Sequence, residues 1–365
     1  MFGIKKLLGF GMMRLPEKDG EPDYEKINEM VDHFQAEGFN YYDTARLYHG
    51  GKSEIAVREC VAKRYPREEF VLCDKLSVNY FENREDIRPL FESQLEACGV
   101  DYFDVYLMHS QTKDIYAKFR RCNAYEEAIK LKEEGKFKHL GISFHDTPEL
   151  LEEILTAYPQ IEVVQIQFNY VDYEDTSVQS KRCYEVCRKF GKPVFIMEPV
   201  RGGSLAKLPE KAVNLLTEGS PASYAIRFAA GFEGVAAVLS GMGNMDMVKD
   251  NTSYMKDFKP LTEEELKRVF LVRDVMKNSE TIPCTACRYC VETCPKNISI
   301  PDLFACYNGK QLIDDWNAGW YYKHVHTVDN GKASDCIKCG VCESLCPQHL
   351  KITELLETVA KTFEG

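Results

Sequence analysis

Cysteine is the residue whose spacing in this chain speaks most directly of chemistry. Cys284, Cys287, Cys290 and Cys294 are followed by Pro295, and Cys336, Cys339, Cys342 and Cys346 by Pro347, so C-x2-C-x2-C-x3-C-P occurs twice. Three thiolates two residues apart reach three irons from one turning loop, and the fourth iron then needs a distant ligand; this is the run of [4Fe–4S] sites. Zinc competes, because C-x2-C pairs also bind it. A zinc site needs four ligands on one metal and no such run, and two identical runs favour iron–sulfur.

A second set is dispersed. Asp43, Lys75 and His109 end β-rich runs, and Tyr48 stands just beyond the first of these. A free phenol titrates near ~10, and an ammonium beside it favours the phenolate. An aspartate paired with the lysine keeps it charged and placed. A histidine can hydrogen-bond a substrate oxygen or relay a proton. Such a set protonates a carbonyl oxygen while hydride arrives at carbon. Taken singly, Asp or Lys at a strand end is usually a cap or solvated surface, Tyr a packing residue, and His a satisfied core group. The coincidence of four carries the reading.

Over roughly the first 255 residues, β-rich runs alternate with amphipathic helices, the sign of βα units. The strands are "KKLLGFG", "FNYYDT", "FVLCDKL", "FDVYLMH", "KHLGISF", "EVVQIQFN", "PVFIMEP" and "GVAAVLSG". Ile27, Met30, Val31 and Phe34 form one helix face, and Ile87, Leu90, Phe91 and Leu95 another. Further helices are expected over 52–64, 123–134, from an Asp146 cap to Ala157, and over 175–190, 220–230 and 244–254. Eight units of this size fit a (β/α)8 TIM barrel. A doubly wound sheet is the alternative, but no G-x-G-x-x-G turn follows the first strand. A mainly helical second domain follows: 1–257 reads as barrel and 258–365 as the cysteine-bearing module. Thr262 and Glu265 form a capping-box pattern at its start.

The segment "YYDTARLYHGGKSE" resembles the D-T-A-x-x-Y-G-x-S-E stretch of aldo/keto reductases, "VLCDKL" their lysine strand and "DVYLMH" their histidine strand. The resemblance implies a tetrad of Asp43, Tyr48, Lys75 and His109 with Tyr48 as general acid, and a nicotinamide cofactor across the barrel mouth. "GISFH" and "VVQIQFNY" then place Ser143 and Gln165 at the carboxamide. "MEPVRGG" places Arg201 and Gly202 near the pyrophosphate, and "SGMGNMDMVKDN" places Ser240, Gly241, Asn244 and Asn251 at the adenosine end. Phe144 stands where the family has asparagine, and Met197 where a ring stacks on the nicotinamide. Met242, Gly243 and Met247 offer no charge to a 2′-phosphate, so NADPH and NADH both stay open. The cysteine runs resemble bacterial two-cluster ferredoxins, in which the fourth cysteine crosses to the other cluster. That groups Cys284, Cys287, Cys290 and Cys346, and separately Cys336, Cys339, Cys342 and Cys294. The whole chain resembles the iron–sulfur-bearing branch of the aldo/keto reductases.

The 41 residues between the runs have helical character, and Trp316, Trp320, Tyr321 and Tyr322 are expected to pack the small core. Seven other cysteines (Cys60, Cys73, Cys98, Cys122, Cys183, Cys187, Cys306) are scattered and read as reduced thiols rather than a secreted disulfide framework. A net charge of −11 argues against nucleic acid and anionic membranes. The N-terminus reads as cytoplasmic, and oxidisable clusters suggest an anaerobe. The expected partners are a small carbonyl or alcohol substrate and an electron-transfer protein. The other reading is an electron-transfer adaptor whose cysteine module docks a redox partner while the barrel serves recognition.

Overall fold

The computed structural model describes residues 1–176, 178–277, 281, 282, 284, 286, 288, 290, 291, 293–313, 316–346 and 350–365. Eight strands form a closed parallel barrel: β1 (Leu8–Gly11), β2 (Tyr41–Asp43), β3 (Val71–Leu76), β4 (Phe103–Gln111), β5 (Phe137–Phe144), β6 (Val163–Gln167), β7 (Val194–Met197) and β8 (Val235–Ser240). Each pairs with its sequence neighbours, and β1 closes on β8. A short antiparallel ribbon, Glu17–Lys18 with Glu21–Pro22, lies outside the barrel.

Strand side chains alternate between lumen and helix layer. Tyr41, Cys73, Leu107, Val163, Phe195 and Leu239 fill the lumen, while Tyr42, Leu72, Tyr106, Val164, Ile196 and Val238 pack the outer core. One step of two residues further up the same strands reaches Asp43, Lys75, His109, Gln165, Met197 and Gly241. This parity is what assembles the site. The lumen is tight enough that a Cβ on Gly141 would stand 2.5 Å from Leu107 Cδ2 and 2.7 Å from the Val163 carbonyl oxygen.

Most expected helices are present. Tyr24–Ala36 buries Ile27, Met30, Val31 and Phe34, and Gly38 leaves it at φ 84°. The segment 110–122 holds a helix at Lys113–Arg121 that buries Tyr116 and Phe119. Ile115 adds a partly buried contact to the same core, and Thr112 caps the helix by accepting from the Ile115 amide. Asp146 does not cap the next helix. That helix runs Pro148–Ala157 from Thr147, and the Asp146 carboxylate accepts the backbone amides of Thr147 and, from the neighbouring loop after β4, Lys113. The helix expected over 175–190 starts only at Ser180.

The helix Glu263–Lys277 has its capping box, with Thr262 and Glu265 exchanging backbone–side-chain bonds. Its Val269, Val272 and Met276 join the barrel's core, so packing assigns this helix to the barrel although composition changes before it. The module beyond has its own core of Leu303, Phe304, Tyr321, Tyr322, Leu356 and Val359, supplied by helices Ile300–Ile313, Trp316–Tyr321 and Ile352–Phe363 and the turn after Tyr321. Cys306 is a buried thiol of this core. Trp316 does not pack there as expected: it is 49% exposed.

The module sits on loops at the C-terminal ends of β4, β5 and β7. Trp320 lies 5.1 Å from the His145 ring, Lys113 pairs with Asp329 at 2.6 Å, and the Trp316 indole faces Gly202. Among the described residues, no helix is long and apolar enough to cross a membrane.

Candidate active site and cluster-binding loops

The dispersed quartet converges. Lys75 Nζ lies 2.5 Å from Asp43 Oδ1 and donates to the Thr44 carbonyl oxygen at 2.7 Å. Lys75 is wholly buried. Burial by itself would favour neutral lysine, but Asp43 acting with Tyr48 and Cys73 outweighs it, and the ammonium is held above its ordinary range. The second Asp43 oxygen accepts from Gln165 Nε2 at 3.1 Å. Tyr48 sits in the loop after β2, its ring centroid 4.9 Å from Lys75 Nζ and 6.1 Å from the His109 ring.

Two opposed effects act on the Tyr48 phenol. Burial raises its pKa, Lys75 lowers it, and the result is about 12. Lysine therefore acts in the direction expected from sequence, but desolvation is larger. The consequence is a phenol that holds its proton until an oxygen more basic than itself develops beside it. Burial and the Lys75 charge push His109 well below the ordinary histidine range, so the ring is neutral. Its Nδ1 meets Ser77 Oγ at 2.6 Å. Ser77 lies two residues beyond Lys75 and was missed; strand alternation carried past the end of β3 would have found it.

The residues expected at a nicotinamide are distributed along the same mouth. Ser143 and Gln165 are direct neighbours across β5 and β6. Ser143 Oγ accepts the Ser110 amide at 2.7 Å. Ser240 accepts from Asn251 Nδ2 at 2.7 Å, and Asn251 in turn accepts from Tyr254. Asn244 caps the helix Met245–Met255. Arg201 turns elsewhere: its guanidinium pairs with buried Asp172 at 2.9 Å and reaches towards Gly309 of the module. Gly202 has φ 65° and Gly203 φ 99°, left-handed values that glycine adopts at little cost, and the Gly203 amide donates to the Val200 carbonyl oxygen at 3.0 Å. The Gly202 amide is taken by the Glu198 carboxylate. That carboxylate stands 4.0 Å from the Arg14 guanidinium, so an anion already occupies a place made of an amide and a cation. A dinucleotide diphosphate fits the same donors.

The two cysteine runs show one backbone design. Ala286 and Arg288 have φ 54° and 65°, two and four residues after Cys284; Lys338 and Gly340 have 57° and 72° at the same offsets from Cys336. Left-handed turns are costly for residues with a Cβ, and repeating them makes a concave loop that suits an anionic cluster. The Lys338 amide donates to Cys336 Sγ at 3.4 Å. Cys284, Cys290 and Cys346 line one cavity, and Cys294, Cys336, Cys339 and Cys342 a second. Each cavity thus joins both runs. Cys287 and Pro347 lie outside the described residues. Among the described residues, no three His, Cys, Asp or Glu side chains close on a single metal ion. By contrast, Cys183 and Cys187 are buried with thiol pKa values raised by desolvation, the state of inert core cysteines.

Comparison with known proteins agrees with this architecture. Residues 7–272 match the aldo/keto reductase family and residues 283–351 a 4Fe-4S dicluster domain. The NADH-specific methylglyoxal reductase of Escherichia coli (strain K12) is 26% identical over 187 residues, 46% of this chain and 54% of that protein. The probable aldo-keto reductase 1 of Glycine max is 26% identical over 213 residues, 55% of this chain and 58% of that one. The chain thus matches little more than half the length of these curated relatives. Among solved structures, the holo form of aldo-keto reductase AKR11C1 from Bacillus halodurans superposes with TM-score 0.60 at 25% identity, over 74% of this chain and 95% of that one.

Proposed function

The chain belongs to the aldo/keto reductase family and is an oxidoreductase with a C-terminal 4Fe-4S dicluster domain, and from that premise we propose that it interconverts a small carbonyl compound and its alcohol using a nicotinamide dinucleotide. One observation carries the reading: a fully buried ammonium–carboxylate pair, Lys75 and Asp43, lies beneath a phenol that faces a neutral imidazole. A pair buried this way costs desolvation, so its retention in the barrel mouth points to chemistry rather than stability. The name of the Escherichia coli relative supports a nicotinamide donor.

A bound nicotinamide supplies or accepts the hydride. The chain's own groups handle the proton. In reduction, negative charge grows on the carbonyl oxygen, and Tyr48 donates its proton there as that oxygen becomes the stronger base. Lys75 stabilises the phenolate left behind, and Asp43 keeps Lys75 charged and fixed. His109, neutral and held at Nδ1 by Ser77, orients the substrate oxygen through its other ring nitrogen. In oxidation the same groups run in reverse.

The module's cysteines would hold two [4Fe–4S] clusters, Cys284, Cys287, Cys290 and Cys346 at one and Cys294, Cys336, Cys339 and Cys342 at the other. They would serve one-electron transfer to a partner or redox sensing. The cytoplasm of an anaerobe remains the proposed setting. The decisive experiment is Tyr48→Phe in the cluster-loaded protein, assayed anaerobically for carbonyl reduction. Loss of the general acid lowers kcat by about 10²–10⁴-fold; a variant that retained the full rate would exclude tetrad chemistry and leave the adaptor reading.

A further inference from the structure

The chain has two tryptophans, both in the cluster module, and both are set against the barrel mouth. Trp320 rests on His145. Trp316 is the more telling. A Cβ built on Gly202 would lie 3.6 Å from Trp316 Cδ1 and Nε1 and 3.7 Å from Arg14 Nη2, and one on Gly203 would meet nothing within 4 Å. An indole and a guanidinium therefore flank the same left-handed glycine, beside open space. Arg14 comes from the segment after β1 and lies along Gly241 at the end of β8, its Cδ 3.0 Å from where a Cβ would be. It spans the gap between the loops that follow β7 and β8. The anion in that gap is the chain's own Glu198 carboxylate, accepting from the Gly202 amide and facing Arg14.

A cation, a backbone amide that donates to an anion and a half-exposed aromatic face together recognise a phosphorylated heteroaromatic molecule. We propose that the cluster module supplies Trp316 as a wall of the dinucleotide site, and that Glu198 is a stand-in anion which the dinucleotide's diphosphate displaces from Arg14 and the Gly202 amide. This rests on the nicotinamide reading above and adds Arg14 and Trp316, which lie outside the family's motifs. The turn is braced to receive such a ligand, because Arg201 ties its base to Asp172 and lies beside Gly309 of the module. The cluster module then contributes to hydride chemistry through its surface, without an electron having to leave a cluster.

The test is anaerobic calorimetric titration of the cluster-loaded full chain with NADH and with NADPH, with cluster absorbance as the folding control. Trp316→Ala weakens binding of the preferred dinucleotide by about tenfold or more, a stacking loss of ordinary size. Trp316→Phe, which keeps an aromatic face, restores most of it. Arg14→Ala weakens binding, and Glu198→Gln tightens it several-fold because the competing charge is gone. If the wild type binds dinucleotide and Trp316→Ala binds it equally well, the module's role is overturned while the nicotinamide reading stands. If Glu198→Gln weakens binding, the displaced-anion argument is wrong and Glu198 is a ligand contact. A wild type that binds neither dinucleotide at millimolar concentration overturns both.

Discussion

Replacing Lys75 by methionine isolates the electrostatic logic of the barrel mouth. The ammonium is fully buried, and Asp43, 2.5 Å away, is 3% exposed. Deleting the cation strands a buried carboxylate, which typically costs about 3–5 kcal/mol. Asp43 keeps one good donor, Gln165 Nε2 at 3.1 Å, and a long contact to the Tyr41 hydroxyl at 3.5 Å. That places the expected loss near the lower figure, about 3 kcal/mol, or a fall of roughly 4 °C in Tm for a chain of this size. Adding Asp43→Asn to Lys75→Met removes the stranded charge while keeping an acceptor for Gln165. The double variant is therefore expected to recover about 2 kcal/mol, remaining about 1 kcal/mol below wild type because the Thr44 carbonyl loses its donor. Both variants stay catalytically poor, which separates chemistry from folding. The assay is anaerobic thermal unfolding of the three proteins by circular dichroism, alongside kcat. A single variant as stable as wild type, or a double variant no more stable than the single, would refute the reasoning.

Other consequences follow from the same geometry. With His109 neutral because its pKa is pushed down and Tyr48 protonated up to about 12, kcat for reduction should be flat from about pH 6 to 9; a pKa between 6 and 8 in the profile would contradict this. Ser77→Ala frees the His109 ring and should raise KM for the carbonyl substrate more than it lowers kcat, as steady-state kinetics would show. Gly141→Ala forces a Cβ onto Leu107 and the Val163 backbone and should destabilise the barrel by about 1–3 kcal/mol, read from urea unfolding. For the clusters, Cys284→Ser with Cys346→Ser should damage one site and leave half the iron, whereas Cys336→Ser with Cys346→Ser should damage both; equal iron in the two double variants would reject the crossed pairing.

Several features of this protein were legible without coordinates because they are local. The eight strands, the face of Ile27, Met30, Val31 and Phe34, and the Thr262–Glu265 box follow from periodicity and capping, which act within a few residues. The cysteine spacing is local in the same sense. The tetrad was legible only as four strand ends, since strand parity fixes which residues reach the lumen but not how burial balances charge there. Sequence gave the lysine's influence on Tyr48 its correct direction; the greater effect of desolvation depends on everything packed around the phenol.

What tertiary structure alone decided is how distant segments meet. The helix Glu263–Lys277 has the composition of a new region, yet its buried face completes the barrel's core. Arg201 looked like a cofactor contact and is committed to Asp172 at the seam. Trp316 looked like a packing residue and stands half exposed over Gly202. Arg14 belongs to no motif, and it meets Glu198 of the "MEPVRGG" stretch at the mouth. Each of these depends on contacts between residues far apart in the chain, and no local pattern encodes which loop a side chain will find when the barrel closes and the cysteine module settles on it.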